Sequence, residues 1–511
     1  MSTVSLGMEL LNLYKKKNLA MIFEKIDDGC ELSKFHPKGN IPDWLKGQLF
    51  LIAPAKWDFD DGFSVNHWLD GSAFMYKFNI SKDHVDVMST VSGYNQCKNV
   101  FSRYLSHLVP LELSDNVIGN VYLIDDELYA SSETCHVWKI DPKDLKCIKR
   151  IDLRSVVSVN LASSHPHICP DGTVFNLAAS FMTGLRYHIM KLPPLSETSP
   201  KQLKGFERAT ILTSRSSSQK TTYSYYHSFG VTEHYVLFLE QPLLVNTVKM
   251  AASGIKGYCV RDCLEWNPAM KTKFHLIDRA TGQDIKTKFQ SDAFFCFHHI
   301  NTYEEDGHVV SDIMAYPNSE VMDKFFLKEV RAGRLNDSCK AIFTRFVLPL
   351  KTEGRIGENL VTLQETQATA IKEETGIIFL IPETMGRSGY EMPTINYSMF
   401  NTRKYRYMYG CGSFDTGEFA HSLIKLDNVT GEMAVWKETD LMYPSELVYV
   451  PRPGSSEEDD GVLLSVVLDV ADNSQDFLMV MDAKNFKELA RVFVPRSVKL
   501  PPSVHGRFRM D

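Results

Sequence analysis

The sequence predicts an all-β protein, and more narrowly a β-propeller. Short strand-like runs recur from about residue 47 onward, and one type of hairpin occurs four times. Imperfect hairpin repeats over several hundred residues are typical of propellers, whose blades are small sheets around a central axis. A pair of β-sandwiches explains the hairpins equally well. Histidines in distant segments favour the propeller, because the inner strands of all its blades face one axis.

The repeated hairpin is an apolar strand that ends at an aspartate and is followed by a second strand. An aspartate at this position can hydrogen-bond its own turn. The strands are residues 137–140, 274–277, 423–426 and 477–481, and the aspartates that end them are Asp141, Asp278, Asp427 and Asp482.

Four histidine-bearing segments are the candidate metal ligands. They are Ser164-His165-Pro166-His167, Tyr226-His227-Ser228, Phe297-His298-His299 and Val504-His505-Gly506. Imidazole suits iron, copper and zinc, so one histidine from each segment would form an all-nitrogen site. A lone histidine near a strand is usually a core or surface residue, so this interpretation requires the closed fold. His298 and His299 are strand neighbours that point to opposite faces; His165 and His167 can share a face.

Composition narrows the functional classes. A chain of 511 residues exceeds the usual size of one core, with repeat folds as the main exception. The net charge of −7 and the absence of a basic run exclude a nucleic-acid partner. No stretch approaches the ~20 apolar residues of a membrane span, and no secretory signal is recognisable. Ten cysteines without a paired framework indicate a reduced, cytoplasmic chain.

Two apolar stretches do not fit the hairpin pattern. Residues 97–109 carry an apolar helical stripe, and residues 243–255 form a second apolar run. Either is most simply a core helix. Together they could form a patch that enters a membrane surface, where an acyl chain on Cys97 would reinforce binding.

The ordered motifs of the chain resemble the carotenoid cleavage oxygenase family. Within it, the chain is similar to the animal members that include the β-carotene oxygenases and the retinoid isomerohydrolase of the retinal pigment epithelium. The likeness spans about residues 40 to 509. It rests on the motifs at residues 41–47, 66–71, 97–101, 165–167, 226–230, 297–304, 443–446, 458–462 and 505–506.

The resemblance implies a seven-bladed propeller with a dome of loops and short helices over an axial Fe(II). It predicts an N-terminal extension at residues 1–39 and a single catalytic domain at residues 40–511. The implied ligands are His165, His227, His298 and His505. The family motif selects His165 over His167 and His298 over His299, and His67 is expected to be structural.

Three glutamates match the family residues that hydrogen-bond the liganding imidazoles. They are Glu133, Glu391 and Glu446, expected to pair with His227, His298 and His505 respectively. A metal-bound imidazole normally donates its other N–H to such a group. The alternative is that each glutamate is a solvated charge, since glutamate is rarely buried unless it is paired.

The function implied by the resemblance is oxidative cleavage of a carotenoid double bond to apocarotenals such as retinal. Four nitrogen ligands leave up to two iron positions for dioxygen or water. The expected partners are a carotenoid or retinoid, dioxygen and a peripheral membrane surface. The first alternative is a retinyl-ester isomerohydrolase that uses the same iron as a Lewis acid. The second is a carotenoid-binding protein with a vestigial metal.

Overall fold

Strands dominate the part of the chain that the computed structural model describes. The described residues are 20–27, 29–59, 62–91, 115–181, 184–195, 203–256, 258–332, 339–412 and 421–511. The all-β class predicted from the sequence is confirmed. The apolar stripe at residues 97–109, with Cys97, lies outside the described residues.

The strands are numbered here in chain order. They are β1 Glu31–Phe35, β2 Lys38–Gly39, β3 Gly47–Lys56, β4 Ser72–Ile80, β5 Val85–Val91, β6 Asn120–Ile124, β7 Glu127–Ser131, β8 His136–Ile140, β9 Cys147–Asp152, β10 Leu161–Ala162, β11 His167–Ile168, β12 Val174–Ser180, β13 Arg186–Leu192, β14 Thr210–Ser216, β15 Thr222–Ser224, β16 Gly230–Val231, β17 Tyr235–Glu240, β18 Leu243–Asn246, β19 Leu264–Trp266, β20 Thr272–Asp278, β21 Phe289–Ser291, β22 Phe295–Glu305, β23 His308–Tyr316, β24 Ile342–Pro349, β25 Thr369–Lys372, β26 Ile378–Ile381, β27 Glu383–Met385, β28 Tyr390–Thr394, β29 Tyr407–Gly412, β30 Ser422–Asp427, β31 Met433–Trp436, β32 Met442–Pro444, β33 Val448–Pro451, β34 Gly461–Asp469, β35 Phe477–Asp482, β36 Lys487–Phe493 and β37 His505–Met510.

These strands form eight sheets, most of them built from strands that follow one another in the chain. Their orders are β1-β5-β4-β3-β37; β6-β7-β8-β9; β10-β12-β13-β14 with β11 beside β12; β15-β18-β19; β16-β17-β20-β21-β26-β25; β22-β23-β24-β27; β28-β29-β30-β31; and β2-β36-β35-β34-β32 with β33 beside β34. In the described residues no sheet closes on itself. The last strand, β37, pairs with β3, so the two ends of the chain share a sheet.

The four aspartates predicted to hold hairpin turns all accept backbone N–H groups of those turns. The distances to Oδ1 are 2.8 Å from Lys143 to Asp141, 2.7 Å from Thr281 to Asp278, 3.2 Å from Thr430 to Asp427, and 2.7 Å from Asn485 to Asp482. Three of the turns join paired strands, namely β8–β9, β30–β31 and β35–β36. After Asp278 the returning chain makes a single bridge, between Ile277 and Asp284.

The inner strands are covered on both faces. All nine residues of β23 are buried, and so are eight of the nine in β34. Side chains alternate between the two faces of a strand, so complete burial requires a packed layer on each side. The sheets therefore stack against one another, and their inner ends are held rigidly.

The helices of the described residues are short. The α-helices are Leu153–Val157, Thr247–Lys256, Leu327–Arg331 and Tyr397–Phe400, and the 3-10 helices are Trp68–Asp70, Gly205–Arg208, Arg261–Cys263 and Glu320–Phe325. Among the described helices, none has the length and apolar character needed to cross a bilayer.

The apolar run at residues 243–255 divides into two elements. Its first part is strand β18, in which Leu243 and Leu244 are buried between β15 and β19. Its second part belongs to the helix Thr247–Lys256, where Val248 is 63% exposed. The run is thus a strand and a helix, and only the helix presents an apolar side chain to solvent.

The segment before residue 40 contributes to the sheets. Strand β1 pairs with β5, and β2 pairs with β36. Phe23 is buried in the same hydrophobic cluster as residues of β3 and β4. The division into an extension at residues 1–39 and a domain at residues 40–511 stays a prediction.

Candidate metal centre

Four histidines from distant segments of the chain meet at one point. His165 lies in the loop between β10 and β11, and His227 in the loop between β15 and β16. His298 lies within β22, and His505 is the first residue of β37. One nitrogen of each ring lies within 4.8 Å of the corresponding atom of every other ring. The sequence-predicted ligand set is therefore brought together.

The spacing of these nitrogens fits one metal ion. Nε2 of His227 lies 2.8 Å from Nε2 of His165 and 3.1 Å from Nε2 of His298. Metal–imidazole bonds of about 2.1 Å at right angles would place neighbouring ligand atoms about 3.0 Å apart. Four neutral imidazoles are a donor set that iron, copper and zinc accept.

Each of the three glutamates holds one of these rings by its other nitrogen. Nδ1 of His298 donates to Glu391 at 2.8 Å, and Nδ1 of His505 donates to Glu446 at 2.9 Å. Nδ1 of His227 donates to Glu133. A proton on Nδ1 leaves the lone pair of Nε2 free, so the pairs direct three Nε2 atoms toward the common point. The pairings are those expected from the sequence.

Burial and the carboxylates act in opposite directions on the ring pKa values. Burial, helped by the neighbouring rings, holds the pKa of His165 well below its ordinary value. Burial also lowers the pKa of His227, although Glu133 opposes it. At His298 burial is again the largest effect and acts to lower the pKa, but Glu391 together with Glu446 and Glu133 outweighs it, and the pKa is raised.

His165 is held differently from the other three. Its Nδ1 is 3.5 Å from Nδ2 of Asn120, which donates its stronger hydrogen bond, of 2.9 Å, to the Ser164 carbonyl. The backbone N–H of His165 donates to Ser163 Oγ at 3.0 Å. The loop, rather than a carboxylate, therefore positions this ring.

The remaining histidines of these motifs have other partners. His167 contacts the Tyr397 hydroxyl at 2.9 Å and the Phe229 carbonyl at 2.7 Å. His299 points away from the group and contacts Ser228 Oγ at 2.9 Å, and burial lowers its pKa to about 3. His67 accepts from the Leu69 N–H and donates to the Met322 carbonyl, a structural role as expected.

Sequence reasoning missed several groups that hold the carboxylates. The Tyr225 hydroxyl donates to Glu133 Oε1 at 2.9 Å. The backbone N–H of Met392 donates to Glu391 at 2.6 Å, and that of Gly506 to Glu446 at 3.0 Å. The one available signal was that Tyr225 lies two positions before His227, on the same side of an extended segment.

Fold and site together define an all-β protein with a four-histidine group able to hold one metal ion. A family model described as "Retinal pigment epithelial membrane protein" matches residues 23–510. The chain belongs to this RPE65/carotenoid oxygenase family.

Two relatives illustrate the similarity along the chain. The "Carotenoid-cleaving dioxygenase, mitochondrial" of Mustela putorius furo is 36% identical, with 96% of each chain covered. The "Beta,beta-carotene 15,15'-dioxygenase" of Gallus gallus is 37% identical, covering 93% of this chain and 95% of the relative.

The fold is also similar to solved structures. Cobalt-substituted apocarotenoid oxygenase of Synechocystis has a TM-score of 0.76 at 19% identity. An "ACO/RPE65 chimera" likewise has a TM-score of 0.76 at 19% identity. Each match covers 97% of this chain and 99% of the other.

Proposed function

We propose that this protein is an Fe(II)-dependent dioxygenase that cleaves a carbon–carbon double bond of a carotenoid to give two apocarotenal products. The observation that carries the proposal is the four-histidine group with its three imidazole–carboxylate pairs. The names of relatives that match almost the whole chain support the substrate class.

The four histidines are proposed as the metal ligands, and the three glutamates as the residues that position them. A bound ferrous ion would supply activation of dioxygen beside an electron-rich conjugated double bond, in the positions that four nitrogens leave open. The glutamates keep the proton on Nδ1, fix the ring planes and balance the charge of a cation held by neutral ligands. Tyr225 holds one carboxylate oxygen of Glu133 in place.

Aromatic walls next to the rings suit an apolar substrate. The Phe297 ring lies 5.3 Å from that of His227, edge to face, and 4.6 Å from that of Phe295. A carotenoid has no charged group that a side chain could bind, so apolar contacts along its length must hold it. These rings keep water from the reacting bond and limit the orientation of the polyene.

We infer a seven-bladed propeller as the architecture, with loops and short helices forming a dome over the axial site. The support is that consecutive groups of strands form separate sheets while residues in or between strands of different sheets meet at one point. The single catalytic domain, cytoplasmic location and peripheral membrane contact belong to the same proposal. Val248, exposed on the helix Thr247–Lys256, is the described residue that supports membrane contact.

Product analysis tests the proposal. Purified protein loaded with Fe(II) should convert a carotenoid into two aldehydes, with one dioxygen consumed per double bond cleaved. His227→Ala should form none, while His299→Ala, which alters the neighbouring ring outside the group, should retain turnover. Formation of a retinol from a retinyl ester without oxygen uptake would replace the dioxygenase with the isomerohydrolase. Tight carotenoid binding without any product would instead support a binding protein.

A further inference from the structure

A second cluster of potential ligands lies on the β6-β7-β8-β9 sheet. Cys135 is in the turn before β8, His136 is the first residue of β8, and Asp152 is the last residue of β9. The antiparallel register places His136 directly opposite Asp152. The Cys135 sulfur, a ring nitrogen of His136 and a carboxylate oxygen of Asp152 lie within 4.8 Å of one another.

One ring nitrogen of the buried His136 lacks a hydrogen-bond partner in the described part of the chain. Its side chain is only 2% exposed, and within the described residues its Nδ1 is buried without a hydrogen bond. Leaving a buried polar atom unsatisfied costs about 1 to 3 kcal/mol. A buried imidazole with an unpaired nitrogen, packed next to a thiol and a carboxylate, is an arrangement in which an ion can complete the contacts.

We propose that Cys135, His136 and Asp152 bind one divalent transition-metal ion, and that Zn²⁺ is the ion that fits them best. A thiolate, an imidazole and a carboxylate are the three ligand types that zinc uses, in tetrahedral sites where water can take the fourth position. Ligand atoms of such a site are about 3.3 to 3.8 Å apart, a spacing compatible with atoms that lie within 4.8 Å of one another.

When a metal ion binds at this cluster, it replaces the thiol proton of Cys135, and no oxidation state changes. Burial raises the pKa of the Cys135 thiol to about 11, so without metal the sulfur keeps its proton. When the ion binds, the S–H bond is replaced by a sulfur–metal bond, and the proton passes to solvent. Zinc lowers the thiol pKa strongly enough to drive this exchange.

The same facts exclude a nucleophilic Cys–His–Asp triad. Cys135 is 0% exposed, so no substrate can reach its sulfur, and its raised pKa suppresses the thiolate that such a reaction needs. An ion needs far less room, and it can enter beside Asp152, whose side chain is partly exposed. Arg154 donates to both oxygens of Asp152, to Oδ1 through its backbone N–H at 2.9 Å and to Oδ2 through Nη2 at 2.6 Å, so the ion must use a remaining lone pair of one of these oxygens.

The cluster lies close in sequence to Glu133, the glutamate that positions His227. Cys135 follows Glu133 by two residues, and the turn between them is tied to the next sheet by the Ala162 N–H, which donates to the Thr134 carbonyl at 3.2 Å. An ion on Cys135 and His136 would fix one end of this turn to β9. It would thereby hold the carboxylate that pairs with His227. Metal binding at the cluster itself does not depend on the proposed function.

Cobalt provides a direct test, because a cobalt–thiolate bond gives a sulfur-to-metal charge-transfer absorption that an all-histidine site cannot give. The chelated full-length protein is reconstituted with Co²⁺, and absorption and bound metal are measured for the wild type, Cys135→Ser and Cys147→Ser. Cys147 lies on the same sheet outside the cluster and is the matched thiol control. The wild type and Cys147→Ser should show the band, and Cys135→Ser should lose it together with about one ion per chain.

Two further variants keep the test decisive. His227→Ala should retain the thiolate band, because its ring belongs to the other site. If Cys135→Ser does not fold, Asp152→Asn removes the charge while leaving an oxygen for the Arg154 N–H, and should weaken Co²⁺ binding at least ~10-fold. A wild type without the band, or a band unchanged in Cys135→Ser, would overturn the proposal.

Discussion

At the scale of single residues, the three glutamates select which nitrogen of each ring is free. Without a partner at Nδ1, an imidazole can carry its proton on either nitrogen and can rotate. The carboxylates fix both the protonated nitrogen and the ring orientation of His227, His298 and His505. The orientation of His165 is fixed by its loop instead. The ring without a carboxylate is therefore the one whose orientation depends most on backbone packing.

Glu391→Gln tests this selection at His298. The amide keeps the size of the side chain and can still accept through its oxygen, but it carries no charge. We expect iron affinity or turnover to fall ~10- to 100-fold without unfolding. The measurements are iron content after dialysis, turnover and the circular dichroism spectrum. Glu432→Gln, on an exposed turn, is the control; equal iron content and rate in both variants would refute a positioning role.

A pair of histidine variants distinguishes a proposed metal ligand from a histidine that lies outside the group. His227→Ala should lose the metal, because only three imidazoles would remain around the common point. His299→Ala should keep it, since that ring contacts Ser228 on the opposite face of β22. Metal analysis of both purified variants checks the assignment. Full occupancy in His227→Ala would show that this residue is not a ligand.

At the scale of elements, two buried lysines connect neighbouring sheets at the aspartate turns. Nζ of Lys77, on β4, donates to the carbonyls of Pro142 and Lys143 at 2.7 and 2.6 Å. Nζ of Lys425, on β30, donates to the carbonyls of Ala483 and Lys484, each at 2.9 Å, and to Asp459 at 2.7 Å. The turns are therefore fixed from outside their own hairpins.

Lys425→Met should destabilise the protein by ~3 to 5 kcal/mol, because it leaves the buried Asp459 carboxylate uncompensated. Thermal unfolding of the variant, of Asp459→Asn and of the double variant measures the coupling. We expect the double variant to be less destabilised than the sum of the single variants. Additive losses would mean that the two side chains do not stabilise each other.

The helix Thr247–Lys256 is where membrane contact can be tested on described residues. Val248→Ser should reduce flotation with liposomes, because it removes the exposed apolar side chain without touching the buried Leu244. Val435→Ser, on the exposed β31, is the matched control. Equal flotation of both variants with the wild type would argue against membrane contact through this helix.

The sequence alone predicted features that depend on local hydrogen bonds. It did not predict contacts that depend on the register between paired strands. Asp141 and its three counterparts were predictable because each aspartate bonds its own turn. The approach of Asp152 to His136 was not, because it depends on pairing across β8 and β9, which includes a bulge between Lys139 and Ile140. The strand at Leu243–Asn246 was missed for a similar reason: an apolar run is compatible with either a buried strand or a helix.

At the scale of the whole molecule, the four-histidine group joins segments that are far apart in the chain. A ligand that binds only the folded protein stabilises it by about 2.7 kcal/mol at 100 times its Kd. Adding Fe(II) anaerobically to chelated protein should therefore raise the Tm of the wild type. The same addition to His227→Ala should give a smaller rise, because only the proposed site at Cys135, His136 and Asp152 would remain to bind an ion. A rise of equal size in the variant would place the stabilising ion elsewhere.

The pairing of β37 with β3 has a consequence for synthesis of the protein on the ribosome. His505 is the first residue of β37, so a nascent chain cannot assemble all four imidazoles until that strand has been synthesised. Strand β3 is synthesised long before β37, so it must wait with one edge unpaired, and such an edge is prone to aggregation. Premature termination before β37 would therefore remove His505 and expose this edge together.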